Sequence, residues 1–384
     1  LNNEQPIGEI IVTYVMKENE RMPTILSVAE VIPPVQISQS QVAEFVRELF
    51  GAAYKDIDRL LTVFKNGEIK KRHLLNHIDW FHENHSFEER NRIFIEAAVT
   101  LGTKAISACL NKNSFLKNRI PYEEIDAIFF ITSTGLATPS IEARIMNHLP
   151  FHKHTKRIPI WGLGCAGGVA GLSRAYEYCQ AFPKSKVLVL SVEFCSLTFQ
   201  KNDLSKSNLI GTSLFADGVA CALVCGDESN IDQYRQKETI PSIMATQSTL
   251  MPNSLDVMGW DIKNDGLFVI FSRDIPHIVE SWLKPNVNAF LEKNHIELKK
   301  IDYFIAHPGG KKIIDAYGHA LNLPSSMLED SLYVLKQYGN MSSATIFYVL
   351  KQHLEKKIPR GSYGLCVALG PGFSSELILL RWFE

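Results

Sequence analysis

The chain has 384 residues, 46% hydrophobic and 21% charged, with a formal net charge of -1. That length exceeds what one simple core supports and predicts two packed halves. A charge this close to zero excludes the basic, phosphate-neutralising surface of a nucleic-acid binder.

In chain order, residues 1–21 come first. The chain starts at Leu1, not a methionine, and the apolar stretch 7–16 is interrupted by Glu9. It is too short and too acidic for a signal peptide or a membrane span. The segment reads as a disordered extension without chemistry, with a second start at Met22 before the strand-like run 24–29. The basic run Lys70-Lys71-Arg72 reads as a solvated face. His73, His77, His82 and His85 follow in a polar region, spaced like no metal motif, and read as surface and loop histidines. Apolar runs of strand length then alternate with longer amphipathic segments, the pattern of an α/β protein. The first set of strands is predicted at 125–134, 157–164, 186–194 and 218–226, the last hairpin-like, with a small-residue helix over 172–182. The second set falls at 239–247, 301–306, 363–370 and 375–383. Continuous apolar runs of this kind predict strands buried on both faces.

The two sets resemble each other. IDAIFFITST leads to a cysteine and a glycine-rich helix start, and IDYFIAHPGG leads on to GNMSSATIFYVL. This predicts a duplicated α/β unit, with halves at 22–235 and 236–384 and no linker between them. Packed about a pseudo-twofold axis, such halves would bring Cys165 and Asn340, at equivalent helix starts, to one cleft. His307, ending a strand, would join them.

Seven cysteines are scattered along the chain without a CxxC pair, which excludes a disulfide scaffold or a structural zinc site and fits a reducing cytoplasm. Cys109, Cys179, Cys221 and Cys366 read as inert buried thiols. Cys165, in WGLGCAGGVAG, differs because a helix N-terminus there would favour its thiolate. His307, in IAHPGG, could pair with it as a cation and donate to a developing oxyanion. Asn340, in YGNMSSAT, is an ordinary N-cap if taken alone, but beside a Cys and a His its amide becomes a second oxyanion donor. Together the three suit acyl transfer.

The motifs WGLGCAGG, IAHPGG, YGNMSSA and GPGF, in that order and spacing, resemble those of the type III polyketide synthases, the chalcone and stilbene synthase family. The similarity runs from about Met22 to the C-terminus, and is greatest to the bacterial alkylpyrone and alkylresorcinol synthases. The resemblance implies a thiolase-like fold and a homodimer acting on acyl-CoA and malonyl-CoA with no metal or other cofactor. It implies that Cys165 carries the acyl chain as a thioester, and that His307 and Asn340 hold the malonyl thioester, promote decarboxylation and stabilise the enolate. Phe215 matches a gatekeeper between CoA tunnel and cavity, and Gly370-Pro371-Gly372-Phe373 a loop shaping the cavity. Thr138 falls where a partner subunit completes the wall.

Val269 stands in place of a second gatekeeper phenylalanine, and Cys195 in place of a cavity threonine, while Thr198 is kept. The wider, aliphatic wall favours a medium- to long-chain fatty acyl starter over an aromatic one. Lactonisation would then give alkylpyrones, and aldol closure with loss of CO₂ alkylresorcinols. Arg59, Lys65 and Lys311 are candidates for the CoA phosphates, with ordinary surface charge as the competing reading. The alternatives are a β-ketoacyl carrier-protein synthase of the initiating type, and a non-catalytic binding protein that kept the fold.

Overall fold

The computed structural model describes residues 22–272 and 274–383. The extension expected at 1–21 lies outside them. The first half contains β1 (Thr24–Val31), β2 (Val35–Ser38), α1 (Gln39–Phe50), α2 (Ile57–Asn66), β3 (Lys71–Leu74), α3 (Phe87–Leu110) and β4 (Ala127–Thr132). It continues with α4 (Ile141–Ile145), β5 (Lys156–Trp161), α5 (Gly167–Ala181), β6 (Lys186–Phe194), α6 (Lys206–Leu214) and β7 (Asp217–Cys225). The second half contains β8 (Ile240–Leu250), β9 (Met258–Lys263), β10 (Gly266–Phe271), α7 (Ile275–Ile278), α8 (Lys284–Lys293) and β11 (Ile301–Ala306). It ends with α9 (Lys311–Leu321), α10 (Glu329–Tyr338), α11 (Thr345–Glu355), β12 (Tyr363–Gly370) and β13 (Ser374–Phe383).

The main sheet has nine strands in the order β11-β12-β13-β8-β1-β7-β6-β4-β5. The two halves meet where β8 touches β1 at Thr24 and Ser242. Outward from that join the pairing repeats. β1–β7 and β8–β13 are antiparallel, as are β7–β6 and β13–β12, whereas β6–β4 and β12–β11 are parallel. The internal duplication read from sequence is therefore a repeat of strand pairing.

Every residue of β4, β6 and β7 is buried, as continuous apolar runs require. β7 is a single strand, antiparallel to both β6 and β1, rather than the hairpin expected. α5 begins at Gly167, five residues ahead of the prediction. Gly167, Gly168 and Gly171 suggest a turn, but here they let helices and sheet approach. A Cβ on Gly168 would stand 2.3 Å from the Ser343 carbonyl oxygen at the start of the α11 segment.

α3 is long and apolar enough to cross a membrane by length and composition. Its buried residues Phe94, Ala98, Leu101, Ala105 and Cys109 recur at helical spacing and pack on strands β1, β6 and β7.

A separate lobe carries β2, β3, α1 and α2. Ser38 accepts a hydrogen bond from the Gln41 N–H while the Gln41 side chain returns to the Ser38 N–H, starting α1 with a capping box. Its own core includes Val42, Phe45, Phe50, Leu61 and Phe64. This lobe corrects two expectations. Arg72 is no solvated residue but 2% exposed, and His73 is buried on β3 against Tyr338.

Candidate active site

β5 runs into a one-turn helix, Gly164–Ala166, that opens α5 and places Cys165 at the edge of a cavity. At the equivalent point of the second half, Asn340 precedes the one-turn helix Ser342–Ala344 that opens α11. His307 follows β11, held by its N–H to the Val367 carbonyl at 2.8 Å, while the Tyr317 hydroxyl donates to its carbonyl at 3.3 Å. All three side chains line one cavity of about 400 Å³.

Asn340 is the best-fixed of the three. Its N–H donates to the Leu214 carbonyl and its carbonyl accepts from the Ala216 N–H, both at 2.9 Å. Its side-chain Oδ1 accepts from the Ser342 N–H at 2.9 Å, and Nδ2 donates to Gly309 in the His-Pro-Gly-Gly turn at 3.2 Å. Nδ2 carries a second hydrogen for a guest. The Cys165 thiol lies 3.9 Å from Oδ1.

Burial pushes the Cys165 thiol up to about 12, aided by the nearby Glu193 charge and partly offset by hydrogen bonds from Ser342 and Asn340. Burial also pushes His307 down to about 3. Burial therefore favours a neutral thiol and a neutral imidazole, and opposes the thiolate that a helix end would favour. Desolvation of a fully buried group outweighs the fractional charge of a helix end. Neither ring nitrogen of His307 has a hydrogen-bond partner. Its imidazole is thus an unpartnered base in the cavity that holds the thiol.

Phe215, Val269, Cys195 and Thr198 meet around a second, narrower cavity of about 50 Å³. α6 and β10 form the wall between the two. Ile210, Leu214 and Phe271 face the larger space, while Gly211, Phe215 and Val269 face the smaller. The Phe215 ring packs 5.6 Å from Phe271 and 5.9 Å from Trp260, centre to centre.

The Gly370–Phe373 segment is not among the residues lining these two cavities but packs behind the Cys165 turn, where Pro371 meets Gly164. Gly370 backs the Cys165 turn, and Phe373 is fully buried against Trp282. Thr138 is exposed on the loop after β4 and lines neither cavity of its own chain. Of the candidate cations, Arg59 and Lys65 are exposed on α2, whose end borders the large cavity through Val63 and Asn66. Lys311 lines that cavity but is already paired with Asp315 at 2.5 Å and lies 3.9 Å from Glu68. Lys312, beside it, is exposed at the same rim and was missed.

Sequence reasoning also missed the residues behind the site. Glu193 is fully buried and accepts from the Ser133 N–H and hydroxyl at 3.0 Å, Thr134 at 2.9 Å and Ser343 at 2.5 Å. It ties β4 and β6 to the turn that carries Asn340. The signal was present as one acid inside the apolar run KVLVLSVEF, since an acid there must be hydrogen-bonded. Arg72 donates to the carbonyls of Thr212, Ser213 and Phe215 at 2.7–2.8 Å and fixes the end of α6. Among the described residues, no three His, Cys, Asp or Glu side chains gather as a metal-ligand set.

Comparison with known proteins agrees with this architecture. The family described as chalcone and stilbene synthases matches in two blocks, its N-terminal domain over residues 14–228 and its C-terminal domain over 242–383. A Bacillus subtilis protein named "Putative chalcone synthase" is 53% identical over 365 residues, covering 94% of this chain and 99% of the relative. A 1,3,6,8-tetrahydroxynaphthalene synthase of Streptomyces peucetius is 32% identical, covering 94% of each. The crystal structure of a Streptomyces coelicolor 1,3,6,8-tetrahydroxynaphthalene synthase superposes with a TM-score of 0.85 at 27% identity, covering 94% of this chain and 99% of that one. The chain belongs to the chalcone and stilbene synthase family. It is a type III polyketide synthase, an acyltransferase of thiolase-like fold, and the carrier-protein synthase and the non-catalytic protein give way to that assignment.

The Gly370 contact supports a first prediction. A Cβ there would stand 2.6 Å from both the Ala166 Cβ and the Leu163 carbonyl oxygen, so it must displace the Cys165 turn. Gly370→Ala is expected to cost about 1–3 kcal/mol by overpacking, and about a hundredfold in condensation rate through misplacement of the thiol. Thermal melting and malonyl incorporation check it; unchanged turnover in the variant would refute it.

Proposed function

We propose that this enzyme loads a medium- to long-chain fatty acyl group from CoA onto Cys165 and extends it with malonyl-CoA. His307 takes the thiol proton, and the thiolate attacks the starter thioester, releasing CoA, which recovers the proton. Malonyl-CoA enters through the large cavity with its thioester oxygen toward His307 and the free hydrogen of Asn340 Nδ2. Loss of CO₂ leaves its electron pair as an enolate on that oxygen. The enolate carbon attacks the Cys165 thioester, a C–C bond forms, the C–S bond breaks, and the thiolate is regenerated. Closure through an enol oxygen would yield an alkylpyrone, and aldol closure with loss of CO₂ an alkylresorcinol. No step calls for a metal or prosthetic group.

The observation that carries the starter assignment is the narrow cavity behind Phe215 and Val269, walled by Val42, Leu74 and Ile78. It suits a thin apolar guest better than a substituted ring. Exposed Lys65 and Lys312 at the large cavity's rim suit the CoA phosphates, Arg59 lies further along α2, and Lys311 serves less well because its charge is already matched. The reading includes a homodimer acting in the cytoplasm, in which exposed Thr138 would meet the second subunit.

Mass spectrometry of products from the purified enzyme with malonyl-CoA and fatty acyl-CoA tests the reading. Alkylpyrones or alkylresorcinols are expected. Exclusive use of aromatic starters, or condensation only when malonyl carrier protein is supplied, would overturn it.

A further inference from the structure

The narrow cavity has a far end that the reaction leaves unexplained. Its near wall, Cys195, Phe215 and Val269, adjoins the reacting residues: the Phe215 backbone bridges to Asn340, and only α6 and β10 separate this space from the cavity that holds Cys165. From there the space runs into the α1 lobe and stops at three rings. Phe45, Phe81 and Phe199 pack with centres 5.7–6.4 Å apart. Beyond them lies a third space, a polar cleft of about 500 Å³ edged by Glu83, Arg90, Lys201 and Asp265. Phe81 and Phe199 line both the narrow cavity and this cleft, so the two rings are the partition between an apolar dead end and a polar one.

We propose that Phe81 and Phe199, backed by Phe45, form the stop that sets how long an acyl starter the enzyme accepts. This rests on the fatty acyl reading above and specifies where the chain's tail lies. The carbonyl end sits at Cys165, the chain passes Val269, and the terminal methyl reaches the ring partition. Each methylene that fits between Val269 and the rings gains about fourfold in kcat/KM from burial. A chain one methylene too long must displace a packed ring or leave its end in the polar cleft, and the gain reverses. The rings belong to a lobe with its own core, outside the sheet and the Cys165, His307 and Asn340 turns. Acceptance can therefore change without touching the reacting groups.

The test is kcat/KM across a series of saturated acyl-CoA starters of increasing length, for the whole enzyme and three variants. Phe81→Ala opens the partition and is expected to move the optimum to longer chains, with at least a tenfold gain for the first length that the parent rejects. Phe81→Leu, a milder truncation that guards against loss of folding, should move it the same way by less. Ile78→Phe narrows the cavity from its half-buried wall and should move the optimum to shorter chains. If the parent shows a length optimum and all three variants keep it, the tail lies elsewhere and the stop is refuted, with the fatty acyl reading intact. If the parent shows no preference among aliphatic lengths, that reading fails and the stop with it.

Discussion

Replacing Cys165 with alanine is expected to lower polyketide formation by roughly 10⁴-fold or more, while leaving malonyl-CoA decarboxylation measurable. Alanine cannot hold the starter as a thioester, so the enolate has no acyl partner. His307 and Asn340 remain in place, because Asn340 is fixed by Leu214, Ala216, Ser342 and Gly309 rather than by the thiol. Product mass spectrometry and CO₂ release, measured on the same sample, separate the two activities. Persisting condensation would move the nucleophile elsewhere, with buried Cys195 the first alternative. Loss of decarboxylation along with condensation would mean that the thiol organises the cavity as well as reacting in it.

His307→Gln is expected to slow decarboxylation by about 10²–10³-fold, the cost of losing one oxyanion donor. It should also change how Cys165 responds to pH. Alone, the buried thiol titrates near 12, so below that value its thiolate fraction rises tenfold for each pH unit. In the variant, iodoacetamide alkylation of Cys165 should follow that slope from pH 7 to 10. In the parent, the unpartnered imidazole accepts the proton when the reagent arrives, so the rate should be higher at pH 7 and rise less steeply. Superimposable pH profiles would show that His307 does not take the thiol proton.

Most of the main sheet was legible in the sequence because inner strands such as β4, β6 and β7 are apolar runs buried on both faces; β5, expected to be buried likewise, is an edge strand and largely exposed. All eight predicted runs are strands, and their shared order disclosed the duplication. The three reacting residues were legible for a related reason, since each stands directly after or before such an element. What pairing alone decides was not legible. β3 reads KRHL, a polar string, and becomes a strand only because β2 lies beside it; Arg72 is buried there because the Thr212, Ser213 and Phe215 carbonyls and the Gln39 side chain accept from its two terminal nitrogens. The wall between the cavities joins Phe215 to Val269, and no local pattern links residues so far apart. The role of the GPGF segment was legible only through resemblance; what its own residues did not disclose is that Gly370 makes room for the backbone of the Cys165 turn.

The bonds around Phe215 have a consequence for how such an enzyme diversifies. Asn340 is held by the carbonyl of Leu214 and the N–H of Ala216, main-chain atoms on either side of the phenylalanine. The ring itself takes no part in holding the amide. Substitution at position 215 can therefore reshape the passage between the cavities while the anchor on Asn340 persists. A lineage can explore new substrates at this position by single steps, each intermediate remaining a working enzyme.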